Sequence, residues 1–286
     1  MAGLTRTKKY ILERLWSLVR WWNVRLDRDF RIPIVLANEG EYLPRFETIL
    51  SGFGRDAVLT RLKLLDRWGV VAGIVRDRDR DGLQSIQPLL ASARAGRRVL
   101  VLNPHIGPPT AIPTSLVCGC ARVVTLADNA SVSDYVRGLR LLFGEQVSSR
   151  VSYISTEQPA QTVALRLVRK FDAGSILLWQ PDEACLEVGK STPQFATPLG
   201  VNVAAHPIGR YLIDRADDVY VAFALLADPP HEAPTIRCTR LDLRGDREAN
   251  YQDALAACWS EVAAHVDEWT MLGCRQDWDL ALRNQR

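Results

Sequence analysis

The chain has 286 residues, enough for one sizeable core or two small ones, with 47% apolar and 24% charged residues and neither repeat nor low-complexity tract. Its formal net charge of +3 is too small to imply a nucleic-acid partner, and no basic-aromatic cluster supplies one. No window approaches the roughly eighteen uninterrupted apolar residues of a membrane span, which argues against an integral membrane protein.

Charge is uneven along the chain. Residues 1–31 carry eight Lys/Arg against Glu13, Asp27 and Asp29, a local excess of five. Ile11, Leu15, Leu18, Trp22 and Leu26 recur at helical spacing within Tyr10–Leu26, with Trp16 and Trp21 beside the stripe. Two readings follow: a helix packed on the body of the protein, or a basic amphipathic helix resting on an anionic membrane through residues 8–31. Tyr42–Leu50, Ala57–Trp68 and Gly82–Ala93 also read as helices, and the alternating run Arg76-Asp77-Arg78-Asp79-Arg80-Asp81 as a solvated loop or helix start. Residues 1–95 thus form a helical N-terminal region packed on a core over 96–286, the two together making one structural domain.

From Arg97 the pattern turns to α/β. Val99–Leu102 is a short apolar run fit for a buried strand, and Pro108 and Pro109 fit the first turn of a helix, where a missing N–H costs nothing. Ala121–Leu126, Val151–Ile154, Ser175–Trp179, Val219–Leu226 and Thr235–Leu241 read as strands. Ser131–Phe143, Gln158–Lys170, Ala204–Leu212 and Tyr251–Trp269 read as helices. The alternation implies a mixed, mostly parallel sheet flanked by helices, in which ligands gather at the carboxyl ends of strands. His105 and Asp182 both sit just past such ends and are expected to face one cleft.

Of the four histidines, His231 lies in a proline-rich turn, His265 on the mixed side of the last helix and His206 in an apolar neighbourhood. His105 differs, because a strand delivers it to a sheet edge beside Gly107, where a substrate can approach the backbone closely. Its near-neutral intrinsic pKa suits a general base, and the competing account is a loop histidine that caps a helix or bonds a carbonyl. Other chemistries lack their motifs: no Gly-x-Ser-x-Gly elbow, no Gly-x-x-x-x-Gly-Lys-Ser/Thr and no Gly-x-Gly-x-x-Gly. Six scattered cysteines (Cys118, Cys120, Cys185, Cys238, Cys258, Cys274) show no zinc spacing and read as reduced thiols of a cytoplasmic protein.

The block Asn103-Pro-His105-Ile-Gly-Pro-Pro-Thr110 resembles the His-x4-Asp/Glu motif of the lysophospholipid acyltransferase superfamily, in particular its lipid A lauroyl/myristoyl branch. Three further blocks resemble that branch in the expected order: Arg166 to Gly174 followed by Ser175–Asp182, Gln194-Phe195-Ala-Thr-Pro198-Leu-Gly200, and Glu261 to Trp269. The resemblance covers roughly residues 40–270. It implies an α/β fold like that of glycerol-3-phosphate acyltransferase and acyl transfer from coenzyme A or an acyl carrier protein to a hydroxyl or amine. No tightly bound cofactor is implied, the thioester being a co-substrate.

On this reading His105 is the base, and amides around Gly107 or the following helix N-terminus are candidate oxyanion donors. Asp182 and Glu183 would position the acceptor or the base. Asn103, Gly107, Phe195 and Gly200 would contact substrate. Arg166 and Arg169 would face a phosphate-bearing donor, or else be solvated. Two departures stand out: Thr110 replaces the acid that should orient the histidine, and the branch's N-terminal membrane-spanning helix has no counterpart. Thr110 can accept a hydrogen bond but cannot offset imidazolium charge, so catalysis would lean on another carboxylate, Asp182 or Glu183. A soluble, cytoplasmic member that acts on a carrier-bound or small acceptor, peripheral on the inner membrane face if the basic helix binds lipid, fits these departures. The alternative is a weakened or inactive relative that binds an acyl chain, carrier protein or partner in the same cleft.

Overall fold

A computed structural model describes residues 84–108, 110–119, 121–127, 135–136, 139–140, 143–155, 158, 160–172, 175–182, 194–199, 202–204, 208–226 and 234–269. The basic helix expected over Tyr10–Leu26, the helices expected over 42–68, the alternating-charge run, Glu183, Gly200, His206 and His231 lie outside these residues. The described chain runs through α1 (Gln87–Arg94), β1 (Val99–Leu102), α2 (Ala111–Cys118), β2 (Val123–Ala127), α3 (Glu145–Ser148), β3 (Val151–Ser155) and α4 (Ala160–Asp172). It continues through β4 (Ile176–Trp179), β5 (Gln194–Ala196), β6 (Asn202–Ala204), α5 (Ile208–Arg215), β7 (Asp218–Leu225), β8 (Thr235–Arg240) and α6 (Arg247–Ala264), closing with a 3-10 turn at Val266–Glu268.

Six strands form one sheet in the order β3-β2-β4-β1-β7-β8. The first five are parallel and β8 runs antiparallel beside β7, so the protein is α/β with a mostly parallel mixed sheet. The reason is plain at β1, where Val-Leu-Val-Leu has no exposed member. Such a run suits a strand covered on both faces. Val99 and Val101 point into a cluster with Leu90, Ile112, Leu116 and Leu139, while Leu100 and Leu102 point the other way, onto Phe171, Leu212, Trp259 and Val262. One face therefore carries α1 and α2, and the other α4, α5 and α6.

This partition creates a divergence between two neighbouring strands. From β1 the chain passes by α2 across one face to β2, and from β4 by α5 across the other face to β7. Adjacent strands whose exits leave on opposite faces open a crevice at their carboxyl ends, the usual ligand position in this architecture. β1 and β4 are such a pair, hydrogen-bonded with Leu102 opposite Trp179. Close helix packing supports it from below: a Cβ at Gly209 on α5 would lie 2.1 Å from the Trp179 ring, so only glycine allows that approach.

Three expectations need correction. Asn202–Ala204 is a strand, paired antiparallel with β5 in a small hairpin, and the helix expected from Ala204 begins at Ile208. Pro108 precedes α2 rather than sitting in its first turn, since the helix begins at Ala111 with Thr110 as its N-cap, and Pro109 lies outside the described residues. The last helix stops at Ala264; a 3-10 turn follows, and Trp269 then forms an antiparallel bridge to Ile106. Val262 and Val266 keep helical spacing and are both buried, so the apolar pattern runs past the point where the helix stops. No helix among the described residues is long and apolar enough to cross a membrane.

Candidate active site

From Val99 to Pro108, His105 is the one residue that is not buried. The turn that carries it is built from backbone hydrogen bonds. Asn103 N–H donates to Trp179 O (2.8 Å), carrying the β1–β4 ladder one residue further, and Ile106 N–H donates to Pro104 O (2.7 Å), a tight three-residue turn centred on His105. Gly107 follows with φ +63°, and a Cβ there would lie 1.7 Å from Ala224 O. Both the backbone conformation and the contact with the end of β7 require glycine.

His105 and Asp182 each lie three residues beyond the register pair Leu102–Trp179, so the two strand ends bring them face to face. His105 N–H donates to Asp182 Oδ2 (2.8 Å), and the ring Nδ1 lies 3.2 Å from Oδ1 and 3.3 Å from Oδ2. Trp269 Nε1–H donates to the same Oδ2 at 2.9 Å. The Asp182 side chain is fully buried and that of His105 is 16% exposed. An uncompensated carboxylate at this depth would cost several kcal/mol, whereas hydrogen bonds to charged groups contribute about 1.5–3 kcal/mol each. Three donors around Asp182 are thus of the right size to offset its burial.

This arrangement changes the expected role of Thr110. It sits at the N-cap of α2 without a side-chain cap hydrogen bond, and its buried Oγ1 has no partner among the described residues. The carboxylate that meets the His105 ring is Asp182, because β4 is the direct neighbour of β1. The amides around Gly107 are also corrected as oxyanion donors. His105 N–H is committed to Asp182, Ile106 N–H to Pro104 O and Gly107 N–H to Glu268 O (2.9 Å), and Pro108 has no N–H. Of the two donor sources expected from sequence, the first turn of α2 keeps little more: Ala111 N–H donates to Pro108 O (3.1 Å) and Pro113 has no N–H, which leaves Ile112 there.

Other expected substrate contacts are placed elsewhere. Asn103 is buried and its Nδ2–H donates to Ala222 O (2.9 Å), so its amide cross-links β1 to β7. Arg166 and Arg169 are exposed on α4, whose inward residues are Leu167 and Phe171. Arg169 lies in the last turn of that helix, which ends where β4 begins, at the edge of the sheet opposite His105. Phe195, on β5, is half-buried against the face that holds α4 to α6.

The sequence assigns no role to two residues at the site, although both lie in the block Glu261 to Trp269. Trp269 supplies a donor to Asp182 from 87 positions away, and Glu268 is buried with its Oε2 accepting from Leu226 N–H (2.6 Å) just past β7. Cys258 on α6 is fully buried, and its thiol is pushed up first by that burial and further by the charge of Asp182 and Glu261. It stays protonated, which removes it as a nucleophile. Among the described residues no group of three or more His, Cys, Asp or Glu could hold a metal ion. Protein-family models and curated proteins yield no match to this chain.

Proposed function

We propose that the protein is an acyltransferase that moves an acyl group from a thioester of coenzyme A or of an acyl carrier protein to a hydroxyl or amine, with His105 as general base. The observation that carries this reading is the His105 ring set against the buried Asp182 carboxylate at the β1–β4 crevice. With Nδ1–H donated to that carboxylate, Nε2 holds the lone pair that takes a proton. The acceptor O–H or N–H gives its proton to Nε2 as its oxygen or nitrogen attacks the thioester carbonyl. The tetrahedral intermediate then expels sulfur as the C–S bond breaks, and the imidazolium returns the proton to the departing thiolate. Asp182 offsets the imidazolium charge in between, a role Thr110 cannot fill. The developing oxyanion takes its support from the amino end of α2, next to His105 in the chain, where Ile112 N–H is the first-turn donor not committed to Pro108 O or lost to proline.

The test is intact-mass analysis of candidate acceptors incubated with pooled acyl-coenzyme A and acyl-carrier donors. The wild type should add one acyl mass, and His105→Ala should lower the rate by about 100- to 10,000-fold with an unchanged circular dichroism spectrum. Full turnover by the variant would remove His105 as the base. No transfer by the wild type from any donor would leave binding of an acyl chain or carrier as the function of this cleft.

A further inference from the structure

We infer that Trp269 is a positioning residue for the base: its indole N–H fixes the rotation of the Asp182 carboxylate and thereby the tautomer of His105. The inference rests on the reading of His105 as a base and extends it to the segment Val266 to Trp269 beside the site.

Several contacts hold the indole where it is. Trp269 pairs with Ile106 in an antiparallel bridge, Gly107 N–H donates to Glu268 O at 2.9 Å, and Glu268 Oε2 accepts from Leu226 N–H. The segment is therefore anchored both to the turn that bears His105 and to the end of β7. The indole also packs edge-on against Trp259, with ring centroids 5.5 Å apart and planes at 78°, and both rings are 1% exposed. An aromatic ring pinned in this way has little freedom to turn its N–H away from Oδ2.

The consequence falls on the carboxylate. Oδ2 receives two donors of fixed direction, the backbone His105 N–H at 2.8 Å and the packed indole Trp269 Nε1–H at 2.9 Å. Only a narrow range of rotation about the Asp182 Cβ–Cγ bond satisfies both. In that range the two oxygens lie almost equally far from Nδ1, at 3.2 and 3.3 Å, and this favours a proton on Nδ1. Without the indole the carboxylate is held by one directed donor and can turn, and the Nε2–H tautomer, which cannot accept the acceptor's proton, gains population.

Packing and hydrogen bonding can be separated by replacing Trp269 with benzothienylalanine, which keeps the ring outline and puts sulfur in place of N–H. Trp269→Phe serves as the simpler companion. Ring 15N shifts of histidine-labelled protein, assigned with His105→Ala, report the His105 tautomer without any substrate. The Nδ1–H form should dominate in the wild type, and the Nε2–H fraction should rise severalfold in the benzothienylalanine protein. In acyl transfer, kcat should fall by about tenfold with KM little changed, as when other hydrogen-bonded partners of functional histidines are removed. Wild-type tautomer populations in the benzothienylalanine protein would overturn the inference, whatever Trp269→Phe does to folding. If the wild type transfers no acyl group, the acyltransferase reading falls, and the tautomer measurement still decides the role of Trp269.

Discussion

Asp182 and Asp218 lie at opposite edges of one sheet, with side chains 0% and 1% exposed, and their charges are met in different ways. Asp218 opens β7 at the amino edge, where Arg97 Nη2 donates to its Oδ1 at 3.1 Å and Arg240 pairs with the same oxygen. Burial pulls its carboxyl up, but hydrogen bonds from Arg97 and Ser92 and the charges of Arg240 and Arg97 outweigh that and hold it below its ordinary value. Asp182 at the carboxyl edge meets no guanidinium among its described partners: a backbone N–H, an indole N–H and an imidazole surround it. Permanent cations at one edge leave nothing for a reaction to change. At the other edge the one described partner able to become a cation is a histidine, so a proton arriving at His105 finds its counter-charge in place. The difference marks one carboxylate as part of the framework and the other as part of a site.

Asp182→Asn strains that comparison hardest. The amide keeps the size of the group but removes the charge and the preference for Nδ1–H. The transfer rate should fall about a thousandfold or more, since the analogous change in a His-Asp pair elsewhere acts through the wrong tautomer. Steady-state kinetics on the variant give the answer. A loss of less than tenfold would mean that the imidazolium needs no counter-charge from Asp182.

Asp218→Asn should do the opposite. Arg97 and Arg240 have side chains 45% and 59% exposed and can return to water, so the loss is smaller than for a fully enclosed pair, about 1–3 kcal/mol. Urea unfolding should show a lower midpoint, with kcat per folded molecule unchanged. Reduced turnover in the folded fraction would dissolve the division between framework and site.

Much of this is legible in the sequence. The apolar runs at Val99–Leu102 and Ser175–Trp179 mark buried strands, and strands alternating with helices imply a mostly parallel sheet. His105 and Asp182 at the ends of two such runs point to one cleft. What the pattern does not carry is strand order. Whether β4 or β2 lies beside β1 is settled by crossovers spanning dozens of residues, and that order puts a carboxylate 77 positions away against the ring while Thr110, five away, stays apart. Trp269 escapes for a related reason, since its apolar neighbours keep helical spacing after the helix has ended. The β5–β6 hairpin has strands of three residues each, too short to show a period.

The finest test concerns Asp217, beside the buried carboxylate at the amino edge. Arg98 donates to it through its side chain, with Nη2 2.9 Å from Oδ1, and through its backbone N–H, 2.7 Å from Oδ2. Those hydrogen bonds, the side-chain one first, lower its carboxyl from 3.8 to about 2. A folded value below the unfolded one means that the group favours folding once it is ionised in both states. Its contribution is therefore complete above about pH 4 and disappears as the pH falls toward about 2. Since the group is partly exposed, water screens the pair and the effect is small. Urea midpoints measured from pH 5 downward should fall less steeply in Asp217→Asn than in the wild type across that window, and the two curves should run parallel above it. Equal slopes throughout would leave the Arg98–Asp217 pair without weight in the framework.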